Sequence, residues 1–171
     1  SFPTRRSSDL DANDNIWIAT MGNGVFKYNQ KTQQIEHYTN QINDKHSISS
    51  NSVSSITETS NGDIWFATDR GGICKYDSKE NNFRTVSLAE GLPDDTAYKI
   101  VEDKNGYLWF GTNSGLVQFD PQNFTIETYS TDNGLPSNQF NYKSALASST
   151  GELFFGTLEG LISFFPERLE Q

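Results

Sequence analysis

The 171 residues include a single cysteine, two histidines, and only 13 lysines and arginines against 22 aspartates and glutamates. Each shortage closes off a class of function. One cysteine excludes a disulfide framework and a multi-cysteine zinc site. A formal net charge of −9 argues against nucleic acid as a partner, because neutralising phosphates needs a basic footprint. No run approaches the ~18–20 consecutive apolar residues that span a bilayer, so the sequence contains no membrane segment. The two histidines, His37 and His46, have no carboxylate or cysteine placed beside them by the pattern, so neither a metal site nor a catalytic triad is read. Aromatic residues, in contrast, are plentiful: 3 Trp, 7 Tyr and 12 Phe. Such a content is foreign to disordered chains. The length alone suggests one domain.

All three tryptophans occur in one phrase. It reads Asn15-Ile-Trp17-Ile-Ala-Thr20, then Asp63-Ile-Trp65-Phe-Ala-Thr68, then Tyr107-Leu-Trp109-Phe-Gly-Thr112. A fourth copy, Glu152-Leu-Phe154-Phe-Gly-Thr157, puts Phe154 in the Trp position. The spacings are 48, 44 and 45 residues, a period that marks a repeat architecture. A glycine follows each phrase, at Gly24, Gly72, Gly115 and Gly160, and then a short run ending in Tyr28, Tyr76, Phe119 or Phe164. Three copies start another run seven residues later, at Ile35, Phe83 and Ile126, and Ile56 and Ile100 open one more before the Trp.

Each full repeat thus holds four short strands. Asn61-Gly62 and Asn105-Gly106 are hairpin turns, since Asn and Gly tolerate positive φ. No stretch keeps a 3.6-residue apolar period; the most helix-like one, Asp94–Glu102, is short and overridden by the repeat. Four-stranded units of about 44 residues with one Trp each describe β-propeller blades. The fold class is therefore all-β, a partial β-propeller: an open arc of about four antiparallel blades over about 11–47, 48–90, 91–133 and 134–171. The repeated Trp is expected to wedge between blades.

The phrases Ile100-Val-Glu-Asp-Lys-Asn-Gly-Tyr-Leu-Trp-Phe-Gly-Thr-Asn-Ser-Gly-Leu116 and Asp63-Ile-Trp-Phe-Ala-Thr-Asp-Arg-Gly-Gly-Ile73 resemble the two-component regulator propeller repeat. The linker Asp44–Ile56 and the segment Asn133-Gly-Leu-Pro-Ser-Asn-Gln-Phe-Asn141 are similar to that family's blade junctions, and Phe155–Pro166 to its last blade. The resemblance covers about residues 11–171. It implies the extracytoplasmic sensor region of a hybrid two-component histidine kinase of Bacteroidetes type, with seven-bladed propellers, a following β-sandwich and a homodimeric arrangement. It also implies a periplasmic location and an oligosaccharide as ligand. The family's implied partners are thus the remaining blades, the sandwich and a glycan. No cofactor or metal is expected.

Residues 1–10, Ser-Phe-Pro-Thr-Arg-Arg-Ser-Ser-Asp-Leu, do not fit the repeat and resemble translated sequencing-adapter sequence. They are expected to supply no inner strand, which leaves the first blade incomplete. The last blade is also short of a strand, so only about 51–87 and 97–130 form complete blades. The outer blades then expose faces made for neighbours, an aggregation liability.

Two rival functions come from other classes: a sialidase-like, glycan-active propeller, and a scaffold that binds protein segments. A sialidase needs an arginine cluster, and outside the head only Arg70, Arg84 and Arg168 exist. Carboxylate pairs are plentiful, but acidic propeller loops are usually solvated surface, and fold analogy is a weak warrant for catalysis. No catalytic residue is assigned. Asp11–Asn15 faintly resembles a calcium loop but lacks its Gly and Glu and stands at a hairpin position, so a turn is the better reading. Cys74 reads as a small buried hydrophobe. Ligand candidates lie where inter-blade loops meet the central hairpins: Asp69, Arg70, Asp94, Asp95, Asn113, Ser114, Asn138, Gln139, Phe140 and Asn141. Sugar recognition needs planar polar groups and an aromatic ring face, here Phe140. The Asn138–Asn141 loop has a structural alternative, shaping the crossing between blades.

Overall fold

The computed structural model describes residues 5–169, and among these it contains four antiparallel sheets and no α-helix. Blade 1 holds β1 (Arg5–Leu10), β2 (Asn15–Thr20), β3 (Val25–Asn29) and β4 (Ile35–Tyr38). Blade 2 holds β5 (Val53–Glu58), β6 (Ile64–Thr68), β7 (Ile73–Asp77) and β8 (Asn82–Val86). Blade 3 holds β9 (Val101–Glu102), β10 (Leu108–Gly111), β11 (Leu116–Asp120) and β12 (Thr125–Tyr129). Blade 4 holds β13 (Phe140–Ala147), β14 (Leu153–Thr157) and β15 (Gly160–Phe164). In every sheet the strands lie in chain order, as hairpin-linked meanders. The fold is a partial β-propeller.

One expectation is corrected. Blade 1 has an inner strand: β1 pairs antiparallel with β2, from Leu10 opposite Ile16 to Arg5 opposite Thr20, with a bulge between Arg5 and Ser7. Its sheet therefore begins at Arg5, ahead of the boundary read at residue 11. The physical reason is that a ladder uses backbone groups, which any residue but proline supplies, and β2 offers an edge with unpaired groups. Pro3 lies outside the described residues. Among the described residues, only blade 4 has three strands.

The packing follows from strand alternation. In β6, Ile64 and Phe66 point toward blade 1, while Trp65 and Ala67 point toward blade 3. Three buried clusters result, one at each joint between consecutive blades. At each joint the Trp meets the aromatic that ends the third strand of the next blade. Trp17 lies 4.8 Å from Tyr76, Trp65 5.4 Å from Phe119, and Trp109 5.1 Å from Phe164, centroid to centroid. Two of the three are edge-to-face, the arrangement the ring quadrupoles favour, worth ~0.5–1.5 kcal/mol beyond area burial. All three tryptophans are buried, as are Phe66, Phe110 and Phe155 beside them. Cys74 lies in the first of these joints, where burial pushes its thiol up to about 11, so it stays protonated at neutral pH.

The repeated Thr and Gly close the central hairpins. The Oγ1 of Thr20, Thr68, Thr112 and Thr157 donates to the carbonyl oxygen of Gly24, Gly72, Gly115 and Gly160, at 2.8–3.0 Å. Gly72 has φ +65°, and a Cβ there would run into the Val86 carbonyl oxygen. Only glycine fits both demands.

The tryptophan N–H groups expose a break in the repeat. Trp17 Nε1 donates to Asp11 at 2.8 Å, and Trp109 Nε1 to Asp103 at 2.8 Å, each six residues before its Trp. Blade 2 has Thr59 at that position, and Trp65 Nε1 is buried with no acceptor. Asp11 also accepts from the amides of Asn13 and Asn15 and from the Asn15 side chain. Burial opposes its charge, but these hydrogen bonds outweigh burial and hold the carboxyl below the usual carboxylate range. The Asp11–Asn15 loop is thus filled by its own turn and an indole.

Candidate functional site

At one end of the sheets, the hairpins between second and third strands meet the linkers that lead into the next blade. A single device joins them. The amides of Gly22 and Gly24 donate to the carbonyl oxygen of Asn51; those of Gly71 and Gly72 to that of Asp95; that of Gly115 to that of Asn138. The side chains of the same three residues brace the linker. The amides of Asn40, Leu88 and Thr131 donate to Oδ1 of Asn51, Asp95 and Asn138 at 2.7–2.8 Å. In the last two cases the linker carries a 3₁₀ turn, Leu88–Glu90 or Thr131–Asn133, capped by Ser87 or Ser130. Asp95 and Asn138 are therefore clamps between blades. For Asn138 this is the structural alternative read from the sequence; for Asp95 sequence reasoning missed the role, although the spacing 51, 95, 138 carries the signal.

Three more candidates are tied into the crossing. Phe140 is buried and edge-on to Phe155 at 6.0 Å, so it offers no ring face to a ligand. This corrects the expectation; the first inward position of β13 must fill the joint, and Gly111 opposite leaves room for its ring. Asn141 Nδ2 donates to the Thr157 carbonyl at 2.9 Å. The carbonyl of Gln139 accepts from the Leu158 amide at 3.0 Å.

The rest form a polar cluster across blades 2 and 3. Asp94 Oδ1 accepts from the Thr96 amide at 2.7 Å and from Asn113 Nδ2 at 3.4 Å. Its Oδ2 faces Ser114 Oγ at 3.5 Å. Thr96 Oγ1 donates to Asp69 Oδ1 at 3.3 Å, and the Tyr98 hydroxyl to Asn113 Oδ1 at 2.6 Å. Burial raises the Tyr98 hydroxyl above its ordinary value, and Tyr142, Asp94 and Asp69 add to the effect. The Tyr98 ring meets the half-exposed Tyr142 edge-on at 4.6 Å. Aromatic surface and planar polar groups thus stand together, with the exposed Tyr142, backed by the buried Tyr98, in the part assigned to Phe140. Sequence reasoning missed both tyrosines, because neither belongs to the repeated phrase. Arg70 points elsewhere: exposed at φ +64°, it lines a groove with His46, Glu90 and Asp95. His37 stacks on Phe26 at 4.0 Å, and it lines one groove with His46, Asp44 and Asn81.

Residues 47–70 and 91–114 match the family model described as two component regulator propeller. Among solved structures, the extracellular domain of a hybrid two component system from B. thetaiotaomicron is 30% identical, with TM-score 0.84 over 95% of this chain and 22% of that one. The extracellular domain of a one component system from the same organism is 25% identical, with TM-score 0.77 over 95% of this chain and 23% of that one. Virginiamycin B lyase from Staphylococcus aureus, 21% identical with TM-score 0.66 over 94% of this chain and 55% of that one, shares the fold. No curated protein matches the chain. Two segments of the chain are thus similar to two-component regulator propeller repeats, and the chain spans less than a quarter of the two B. thetaiotaomicron structures. The two B. thetaiotaomicron structures are extracellular domains, and no described helix is long and apolar enough to cross a membrane.

Proposed function

We propose that these blades are part of the periplasmic ligand-sensing propeller of a hybrid two-component sensor, and that they bind an oligosaccharide without transforming it. The polar cluster carries the reading. Asp69, Asp94, Asn113 and Ser114 set planar and hydroxyl groups side by side, and Tyr142, packed edge-on against the buried Tyr98, adds aromatic surface next to them. Sugars are held by this combination: fixed hydrogen-bond partners for paired hydroxyls and an aromatic for the ring face. Asp94 already accepts from Thr96 and Asn113, which suits it to orient a ligand rather than take a proton. The remaining blades, a β-sandwich and a second sensor subunit complete the assembly. Ligand shifts it between two arrangements only by binding one of them better.

The test is isothermal titration of an oligosaccharide panel against the extracytoplasmic region that contains these residues. A glycan should bind, and Asn113→Ala and Tyr142→Ala should each weaken it by about tenfold or more, the loss of one good hydrogen bond or stacking contact. Unchanged affinity in both variants would sink the site. A panel that yields no binder, with a protein ligand captured instead, would sink the ligand class. Turnover of a glycoside would overturn the non-catalytic reading.

A further inference from the structure

Beside the polar cluster, one groove gathers cations that carry no ion pair. It lies between the linker into blade 2 and the linker into blade 3, and its volume is about 810 Å³. Clefts of ~300–1,000 Å³ hold small ligands. Lys45, His46, Arg70, Arg84, Glu90 and Asp95 are among the residues that line it. Extra chain length builds one wall. From Ile35 to Ile56 is 21 residues, whereas from Phe83 to Ile100 is 17. The longer linker folds on itself: the Gln41 amide donates to Ser47 Oγ at 2.9 Å, and Asn40 Nδ2 to the Ile48 carbonyl at 2.9 Å. The Phe83 amide then donates to the His46 carbonyl at 2.8 Å, which clips the linker to the outer strand β8.

The acids of the groove are engaged by the chain itself. Asp44 Oδ1 accepts from the His46 amide at 2.9 Å, and Asp95 Oδ1 from the Leu88 amide at 2.7 Å. Glu90 Oε2 accepts from the amide and the hydroxyl of Ser87, both at 2.7 Å. Arg84 lies over the Phe124 ring at 3.5 Å. The other cations are not engaged. Among the described residues the ion pairs are Lys27–Glu36, Lys31–Asp14 and Lys75–Asp63, and the side chains of Lys45, His46 and Arg70 make neither an ion pair nor a hydrogen bond. Arg70 also sits on strained backbone. The hairpins Thr20–Gly24 and Thr68–Gly72 are equal in length, so Arg70 at φ +64° stands where blade 1 has Gly22 at φ +101°. Left-handed backbone disfavours a long side chain, and strain of this kind gathers at functional sites.

We propose that this groove binds the anionic group of an acidic oligosaccharide, a carboxylate or a sulfate ester, with Arg70 as its principal contact and Lys45 and His46 at its flank. The planar guanidinium offers paired N–H groups that match two oxygens of either anion. Asp69 and Asp94 of the polar cluster are the chain neighbours of Arg70 and Asp95, so a sugar chain seated on the cluster continues toward the groove. That the ligand is a sugar rests on the sensing reading; that it is anionic rests on the groove alone.

The experiment is isothermal titration of the extracytoplasmic region that contains these residues. Trigalacturonate is compared with its methyl ester, and lactose sulfate with lactose. An acid should bind about tenfold or more tighter than its neutral counterpart, and added salt should narrow the difference. The pair that shows the preference separates carboxylate from sulfate. Arg70→Ala should abolish the preference, and Arg70→Lys, which keeps the charge and loses the fork, should retain part of it. Arg70→Gly should abolish it while leaving the urea midpoint level or higher, because glycine adopts positive φ without strain. A lower midpoint in Arg70→Gly would make Arg70 a brace of its hairpin and overturn the proposal. Neutral sugars bound as tightly as acids, or a preference that survives Arg70→Ala, would overturn it and leave the sensing reading standing. A preference lost in Arg70→Ala but intact in Asn113→Ala and Tyr142→Ala would uphold the groove without the cluster. Binding of no sugar at all would overturn both.

Discussion

A single side chain separates the second blade from its neighbours. Thr59 stands where Asp11 and Asp103 each accept an indole proton, and Trp65 is left with a buried donor and no acceptor. A buried unsatisfied donor costs ~1–3 kcal/mol. Thr59→Asp is therefore expected to raise stability by about 1 kcal/mol, read as a higher urea midpoint at neutral pH. Trp109→Ala, by contrast, empties the joint between blades 3 and 4 and should cost about 3–5 kcal/mol. At Asp11 the folded-state pKa lies below the unfolded value near 3.8. Its contribution to stability is then complete above that value and fades as pH falls below it. Asp11→Asn should flatten the loss of urea midpoint as pH falls below about 4 relative to wild type. The Trp, Thr and Gly positions were legible in the sequence because every copy repeats them or a close stand-in. The acceptor was not, because Thr59 and Ser148 interrupt it in two of the four copies.

At the scale of strands and linkers, the sequence reading divided sharply. Strands built on apolar alternation, such as Ile64–Thr68 and Leu116–Asp120, stood out because both faces must be filled. The strand Arg5–Leu10 did not, since its place rests on backbone pairing with β2 and not on side-chain pattern. Polar linker residues misled in the other direction. Asp95 looks like a ligand group in the sequence, but it braces a backbone amide as Asn138 does, and for Asp95 that task is visible only when the hairpin of the preceding blade is in place. The equivalence with Asn51 and Asn138 gives a sharp expectation. Asp95→Asn should leave stability within about 0.5 kcal/mol of wild type, while Asp95→Ala should lose ~1 kcal/mol or more by orphaning the Leu88 amide. Limited proteolysis of the 87–95 linker would show the same contrast, with only the alanine variant cut faster.

Across the whole molecule, stability is distributed as in other stacked repeats, where each unit is held by its neighbours. Blades 2 and 3 are covered on both sides, and blades 1 and 4 on one. Amide hydrogen exchange should therefore be slowest in Ile64–Thr68 and Leu108–Gly111 and clearly faster in Gly160–Phe164, whose strand also ends a three-stranded sheet. Equal protection in all four sheets would mean that the outer faces are covered.

The placement of one tryptophan per joint has a spectroscopic consequence. In a nitrogen-15 correlation spectrum the chain should give three indole cross-peaks, and each belongs to a different joint: Trp17 to blades 1 and 2, Trp65 to blades 2 and 3, Trp109 to blades 3 and 4. The Trp17 and Trp109 protons point at carboxylates and should resonate downfield of the Trp65 proton, which has no acceptor. Three resolved lines in an otherwise crowded spectrum would follow each joint separately during unfolding, titration with a ligand or assembly, without any label being engineered into the protein.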